Sequence, residues 1–219
     1  MDLKLLQGND PKYSLDKVKV DDKSKLKGLT IGFLGSSITY GAMSLGVSFV
    51  DYLAKIEGIK TIKEAISGTT LVDDKDDSYI SRLKRIDKNI RFDFFIVQLS
   101  TNDMWQNKPL GNLDDTSTHT ICGAINFIIK YIKNTYKVSP IFYTNPKFNN
   151  LGYQKMVEVL LKIAKKETIL VIDMYNDRKF SKITKEEHNL YMADDIHPTK
   201  AGYLLWWTPY FIKYLEKLI

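Results

Sequence analysis

Short apolar runs alternate with longer amphipathic stretches along most of the chain. Five segments are candidate β-strands, and they lie at residues 30–34, 60–65, 92–99, 140–144 and 168–172. Between them, apolar residues recur at three- and four-residue steps, which is typical of helices with one face on a core. The spacing predicts helices near residues 47–57, 78–89, 117–136 and 153–166, and a last helix over 200–218 with a bend or break at Pro209.

A strand followed repeatedly by a helix is typical of a parallel sheet with helices on both faces. We therefore expect an α/β fold, a three-layer αβα sandwich around a five-stranded parallel sheet. Because crossovers between parallel strands are right-handed, a flavodoxin-like strand order fits best. Residues 1–27 are polar and charged. We expect them to form an N-terminal arm packed on a single domain that spans residues 28–219.

The single cysteine and the short apolar runs restrict which stabilising groups and which cellular location we expect. Cys122 is the only cysteine, which excludes an intrachain disulfide and a cysteine cluster for zinc. No run reaches the about 18 apolar residues of a membrane span. The first residues also lack the apolar core of a signal peptide. These features predict a cytoplasmic protein without a membrane span.

The net charge does not by itself indicate a partner. It is +6, from 32 Lys and Arg against 26 Asp and Glu. The lysines are scattered, for example at Lys55, Lys60 and Lys63, and neither an Arg-rich helix nor a basic stripe with interleaved aromatic residues stands out. We therefore expect no nucleic-acid partner, and the pattern leaves the oligomeric state undetermined.

Two serines follow the first predicted strand. The apolar run at 30–34 leads into Gly35, Ser36 and Ser37, and small residues at that point predict a tight turn. In open α/β sheets, ligands bind just outside the carboxyl ends of the strands, so a hydroxyl there is well placed to attack a substrate. A serine after a strand can instead cap the next helix and have no further role.

His197 has the surroundings that a general base requires. The chain has three histidines, and we expect His119 and His188 to be structural. His197 lies in a loop just ahead of the last predicted helix, three residues after Asp194. In a turn, that spacing lets the carboxylate reach the imidazole Nδ1–H and orient the ring. On sequence alone, Asp195 is a rival for this role.

Donors for a substrate oxyanion can come from the loops after the second and third strands. Asn102 follows the third strand and offers a side-chain N–H, while Gly68 follows the second strand and lets the backbone approach a ligand closely. Together with the backbone N–H of Ser37, they form a predicted oxyanion site. Both have simpler interpretations, because Asn102 can close a turn and Gly68 can serve a tight loop.

Four motifs, in this order, resemble those of the SGNH hydrolase superfamily, also called the GDSL esterases and lipases. They are Gly-Ser-Ser-Ile-Thr at 35–39, Gly at 68, Ser-Thr-Asn-Asp at 100–103 and Asp-Asp-Ile-His at 194–197. The resemblance runs from about residue 28 to 208. It implies Ser37 as nucleophile, His197 as base and Asp194 as the carboxylate that orients it. It also implies an oxyanion hole formed by the Ser37 and Gly68 N–H groups and the Asn102 side chain.

The chain departs from the family motifs at two positions. Ser36 replaces the usual Asp or Asn before the nucleophile, and Ser100 replaces the usual Gly that opens the third motif. Neither change removes a catalytic group. The α/β-hydrolases share the order Ser, Asp, His, but their Gly-x-Ser-x-Gly elbow is excluded because Thr39 stands at the second glycine.

The residues and the resemblance together predict a serine hydrolase that cleaves a carboxylic ester through an acyl-enzyme and needs neither metal nor cofactor. A soluble composition without a long apolar lid favours a small-molecule substrate with a small acyl or acetyl group, for example on a carbohydrate. The alternative is a non-catalytic carbohydrate- or anion-binding domain, in which the turn after the first strand cradles an anion at a helix N-terminus.

An acidic segment at residues 73–77 invites comparison with a calcium site. It contains Asp73, Asp74, Asp76 and Asp77. Because it lacks the glycine and the spaced ligands of a calcium loop, a solvated acidic loop is favoured.

Overall fold

Five strands pair side by side to form one sheet in the computed structural model, which describes residues 2–219. The strands are β1 (Thr30–Gly35), β2 (Lys60–Ala65), β3 (Phe94–Gln98), β4 (Pro140–Tyr143) and β5 (Leu170–Ile172). Their order across the sheet is β2-β1-β3-β4-β5, and every neighbouring pair is parallel. This is the flavodoxin-like order, so the predicted α/β fold is confirmed.

Helices connect the strands and complete the chain after β5. They are α1 (Ser37–Tyr40), α2 (Phe49–Glu57), α3 (Tyr79–Arg85), α4 (Asn102–Trp105), α5 (Ile121–Tyr136), α6 (Leu151–Glu167), α7 (Lys185–Tyr191), α8 (Lys200–Gly202) and α9 (Thr208–Leu215). Before β1, short 3-10 turns lie at Leu3–Leu5, Gln7–Asn9, Pro11–Tyr13 and Leu15–Lys17, and a further one at Ala42–Ser44 follows α1. Within residues 2–219, no helix is long and apolar enough to cross a membrane.

The sheet separates two apolar cores, because alternate strand residues point to opposite faces. On one face, Leu34 and Val97 pack with α3, α5 and α6. On the other face, Phe33 packs with α2 and α9, where Phe49 stacks on Phe211 with ring centroids 4.3 Å apart. Helices therefore cover both faces, which gives the three predicted layers.

Side-chain caps determine where the longer helices begin. Ser48 caps α2, Thr120 caps α5 and Asn150 caps α6, each by accepting a hydrogen bond from a backbone N–H of the first turn. The helix predicted over 117–136 therefore begins only at Ile121, one residue after its cap. The helix predicted over 153–166 begins earlier, at Leu151, for the same reason.

Pro209 is accommodated by a local widening of the last helix. α8 leads directly into a π-helical turn, Tyr203–Trp207, which continues into α9. Proline has no N–H to donate, so the helical hydrogen-bond ladder must adjust near it. The N–H of Thr208 donates to the carbonyl oxygen of Tyr203, five residues back, and the Thr208 hydroxyl donates to the same oxygen at 2.7 Å. The predicted bend or break therefore takes the form of a π-helical turn.

Three of the helices have no counterpart in the sequence prediction. α1 and α4 contain four residues each, which is too short for an apolar period to show. α7 has no buried residue, and a capping box between Thr184 and Glu187 begins it. Local capping, rather than an apolar face, explains its position.

Candidate active site

Ser37 lies at the carboxyl end of β1 and is the first residue of α1. The backbone N–H of a first helical residue has no acceptor within its own helix, so it points beyond the helix end. Ser37 is only 7% exposed. Its hydroxyl therefore depends on the protein for hydrogen-bond partners.

The loop between α7 and α8 holds Asp194 and His197 in a tight turn. The N–H of Ala193 donates to the carbonyl oxygen of His197 at 2.9 Å, which closes the turn. Asp194 Oδ1 accepts the backbone N–H groups of Ile196 and His197, at 2.8 and 2.7 Å. These local bonds hold the carboxylate beside the imidazole that follows it.

A continuous chain of hydrogen bonds joins Ser37, His197 and Asp194. His197 Nε2 lies 2.9 Å from Ser37 Oγ, and His197 Nδ1 lies 3.0 and 2.9 Å from the two carboxylate oxygens of Asp194. An imidazole protonated on Nδ1 donates to the carboxylate and accepts the serine proton at Nε2. Asp194, rather than its rival Asp195, makes the contact with the ring.

The surroundings of Asp194 keep its carboxylate ionised. Burial acts to raise its pKa, but hydrogen bonds from the His197 ring and from the backbone N–H groups of His197 and Ile196 outweigh burial and lower the pKa to about 2. The side chain is 45% exposed, so solvent screens part of its attraction for a charged partner. At neutral pH the group is therefore a carboxylate that lies against the His197 ring.

Gly68 and Asn102 lie on two loops at the same edge of the sheet as Ser37. β2 and β3 both pair with β1, so the loops after them flank the turn that carries the serine. Gly68 has a φ of +83°, a left-handed value that favours glycine. Asn102 opens α4 and donates from Nδ2 to the carbonyl oxygen of Thr69 at 2.9 Å. The fold therefore brings Ser37, His197 and Asp194 into contact and places Gly68 and Asn102 on the loops that flank the Ser37 turn.

The model of the GDSL-like lipase/acylhydrolase family matches residues 33–205. The matched stretch contains all four motifs and covers more than half of the chain. The chain belongs to this family. The resemblance to the SGNH hydrolase superfamily is thereby confirmed, and membership makes the chain a hydrolase at the family level.

Solved structures share the fold of this family member. One is 27% identical and covers 89% of this chain and 99% of its own, with a TM-score of 0.76. A protein from Lactobacillus plantarum is 19% identical, with 88% and 99% coverage and a TM-score of 0.76. The lipase/acylhydrolase from Enterococcus faecalis is 18% identical, with 86% and 96% coverage and a TM-score of 0.56. At these two lower identities the likeness shows the fold alone. A search of curated proteins found no match.

In this family member, a buried glutamine holds the turn that carries Ser37. Gln98 Oε1 accepts the N–H of Ser36 at 2.9 Å, and the N–H and hydroxyl of Thr39 at 3.3 and 2.8 Å. The Thr39 hydroxyl also lies 2.6 Å from the Tyr143 hydroxyl of β4. Sequence reasoning missed Gln98, although a polar residue at the end of the otherwise apolar β3 was an available signal.

A buried arginine connects the ends of β1 and β2. Arg82 is 1% exposed, and its Nη2 donates to the carbonyl oxygen of Gly35 at 2.8 Å and to the hydroxyl of Thr69 at 3.0 Å. Its Nη1 and Nε donate to the carbonyl oxygens of Glu64 and Asp77, each at 2.9 Å. Sequence reasoning missed this residue too. Its signal was an arginine on the same helix face as the apolar residues Tyr79 and Leu83 of α3.

Asp103, the residue after Asn102, holds the loop after β3 through buried hydrogen bonds. Asp103 is fully buried and accepts the backbone N–H groups of Leu71 and Val72, at 2.8 and 3.0 Å. Burial raises the pKa of Asp103 to about 6, although the two N–H donors act to lower it. The carboxyl thus ties the loop after β3 to the segment that follows Gly68.

The two departures from the family motifs differ in their structural effect. The Ser100 hydroxyl accepts the N–H of Asn102 and donates to the carbonyl oxygen of Thr69, both at 3.1 Å, so it braces the loops around the Asn102 amide. The Ser36 hydroxyl is buried and has no hydrogen-bond partner within residues 2–219. Gln98 holds the backbone of the turn instead.

The acidic segment at residues 73–77 bonds to neighbouring side chains. Asp73 accepts the hydroxyl groups of Ser78 and Ser81, and Asp74 pairs with the ammonium of Lys108. Among the residues that the structure describes, no three His, Cys, Asp or Glu side chains form a group that could hold a metal ion.

Proposed function

We propose that the chain is a serine esterase that hydrolyses a carboxylic ester through an acyl-enzyme. The observation that carries this proposal is the 2.9 Å contact between Ser37 Oγ and His197 Nε2, with Asp194 on the other ring nitrogen. Serine is a weak nucleophile at neutral pH and needs a neighbouring base of this kind. In this proposal, Ser37 is the nucleophile, His197 the general base and Asp194 the group that orients the base.

In the acylation step, Ser37 Oγ attacks the ester carbonyl carbon while its proton passes to His197 Nε2. The carbonyl oxygen becomes an oxyanion that accepts hydrogen bonds from the Ser37 and Gly68 N–H groups and from Asn102 Nδ2. Each such donor contributes about 3 kcal/mol to the transition state. The tetrahedral intermediate collapses as the bond to the alcohol oxygen breaks. His197 returns its proton to that oxygen, and the acyl group remains on Ser37.

Deacylation repeats these steps with water in place of the serine. His197 Nε2 accepts a proton from water, whose oxygen attacks the acyl carbon and forms a second oxyanion at the same donors. When this intermediate collapses, the bond to Ser37 Oγ breaks and the oxygen takes the proton from His197. The products are the free carboxylic acid and the original enzyme.

For the acyl group we propose a small one, such as acetyl. Within residues 2–219, most of the apolar residues of β1, β3 and α5 are buried in the two cores, so these segments do not provide an apolar lid. A series of p-nitrophenyl esters from acetyl to decanoyl measures this directly. We expect kcat/KM to be highest for the shortest acyl groups. A maximum at decanoyl would contradict the proposed acyl size and leave the esterase activity unaffected.

The decisive experiment compares two adjacent serines. Ser37→Ala should abolish p-nitrophenyl acetate hydrolysis and labelling by a fluorophosphonate, because both reactions need the nucleophilic oxygen. Ser36→Ala removes a neighbouring hydroxyl that makes no hydrogen bond within the described chain, and it serves as the matched control. Retention of hydrolysis and labelling in Ser37→Ala would refute the proposal.

A further inference from the structure

The N-terminal residues 2–17 lie outside the stretch that matches the family model, yet they contact segments that adjoin the candidate active site. Two residues of the second 3-10 turn, Gly8 and Asn9, are both buried. Asn9 is only 3% exposed, which is unusual for an amide in a polar segment. A buried amide must have its hydrogen bonds satisfied inside the protein.

The amide of Asn9 joins two segments that are far apart in the sequence. Its Nδ2 donates to the carbonyl oxygen of Met43 at 2.8 Å, and its Oδ1 accepts the backbone N–H of Lys200 at 3.0 Å. Met43 lies in the 3-10 turn that directly follows α1, the helix that Ser37 begins. Lys200 is the first residue of α8, directly after the loop that carries His197. One side chain thus bridges the nucleophile segment and the base segment.

The neighbouring backbone fits closely against the same loop. A Cβ atom on Gly8 would lie 2.1 Å from the carbonyl oxygen of Leu190 and 2.2 Å from Thr199 Oγ1, so only glycine fits there. The second N–H of the Asn9 amide donates to the carbonyl oxygen of Leu3 at 2.8 Å. Both donors and the acceptor of the amide are therefore engaged, which fixes its orientation.

We infer that Asn9 is a positioning residue that fixes the separation between Ser37 and His197. This inference rests on the proposed function. The two residues are carried by separate segments, and their contact depends on tertiary links between these segments. Asn9 provides one link, and the hydroxyl of Tyr203, which donates to the carbonyl oxygen of Ile38 at 2.6 Å, provides a second. The arm is in this way a structural part of the active site.

Loss of the Asn9 link should lower the reaction rate more than it weakens substrate binding. A misplacement of reacting groups by about 1 Å can reduce the rate about a hundredfold. The Ser37–His197 contact acts in proton transfer, and Asn9 touches neither residue directly. We therefore expect a lower kcat with little change in KM when the Asn9 bonds are broken.

The first test replaces Asn9 with an isosteric group. Asn9→Asp keeps the size of the side chain and an acceptor for Lys200, but it removes the donors to Met43 and Leu3. We expect kcat for p-nitrophenyl acetate to fall about ten- to a hundredfold, with KM within about twofold, at a temperature where circular dichroism shows a fully folded protein. Leu5→Ala, in the same arm at a residue that is 81% exposed, is the control.

The second test breaks the bridge from its other end. Lys200→Pro removes the N–H that Asn9 accepts, at a first helical position where proline is favoured. The preceding residue, Thr199, has the extended backbone that a following proline requires. Lys200→Ala loses the side chain but keeps the N–H, so it is the matched control. We expect a fall in kcat for Lys200→Pro but not for Lys200→Ala.

The outcomes separate this inference from the proposed function. If the unmodified protein is active, and Asn9→Asp and Lys200→Pro both keep the kcat of their controls, the inference is overturned and the esterase proposal stands. A lower melting temperature with kcat preserved also overturns it, because Asn9 then serves stability only. If the unmodified protein neither hydrolyses esters nor takes the fluorophosphonate label, both proposals fail.

Discussion

The side-chain amide of Asn102 donates a hydrogen bond to the carbonyl oxygen of Thr69, 2.9 Å away. This bond joins the loop after β3 to the loop after β2, so the two proposed sources of oxyanion donors are held together. One N–H of the amide is used in the bond, which fixes the plane of the group. The direction of its second N–H is thereby set before a substrate arrives.

Removal of the Asn102 amide should slow the chemical step. Asn102→Ala is expected to reduce kcat for p-nitrophenyl acetate by about 10²- to 10³-fold with little change in KM, because the donor acts mainly on the transition state. Asn149→Ala, at an exposed asparagine on another loop, provides the control. An unchanged kcat in Asn102→Ala would remove Asn102 from the oxyanion site.

The two neighbouring aspartates of the His197 loop should differ sharply in their effect. Asp194→Asn should lower kcat at neutral pH by on the order of a thousandfold or more, because an amide neither stabilises the imidazolium nor fixes the tautomer as a carboxylate does. Asp195→Asn should leave kcat near that of the unmodified protein. Equal losses in the two variants would contradict the assignment of Asp194.

The low pKa of Asp194 makes a separate prediction about pH. Its pKa is about 2 in the folded protein, below the value of about 3.9 for an unfolded chain. The ionised carboxylate therefore contributes to the free energy of unfolding above about pH 4, and this contribution is lost as the pH falls through about 2. Between pH 5 and 8 the carboxylate stays ionised. NMR of the Asp194 carboxyl carbon can follow this, and a protonation step above pH 5 would contradict the lowered pKa.

Substitution of Arg82 tests the buried link between β1 and β2. Arg82→Lys keeps the charge but cannot reach the five acceptors that the guanidinium contacts. We expect the free energy of unfolding to fall by about 3 kcal/mol or more, because buried acceptors lose charged donors. Urea unfolding measures the change, with Arg85→Lys, an exposed arginine of the same helix, as the control. Equal effects of the two changes would count against this role for Arg82.

Asp103 should make stability depend on pH. The pKa of Asp103 is about 6 in the folded protein and about 3.9 in an unfolded chain. The contribution of this group to the free energy of unfolding is therefore fully present below about pH 4 and is lost as the pH rises through 6. The loss amounts to at most about 3 kcal/mol. Asp103→Asn cannot titrate, so its unfolding free energy should change less between pH 4 and 7. Parallel curves for the two proteins would contradict the raised pKa.

Local sequence signals carried much of the prediction. The strands lie within one or two residues of the predicted segments, and β1, β3 and β4 were recognisable because buried parallel strands are apolar on both faces. The Asp194–His197 pair is also local, since a three-residue turn brings the two side chains together. α7 escaped prediction because its exposed surface has no apolar period. Periodicity reports burial, and helices without buried residues do not display it.

The sequence by itself determined the alternation of strands and helices, the family motifs and the turn that holds Asp194 against His197. Each of these depends on residues that are close along the chain or on a periodic pattern of burial. Only the tertiary structure decided how Ser37 meets His197, which lies 160 residues away. It also decided the roles of Arg82 and Asn9, because a polar side chain finds its buried partners only when distant segments have packed around it.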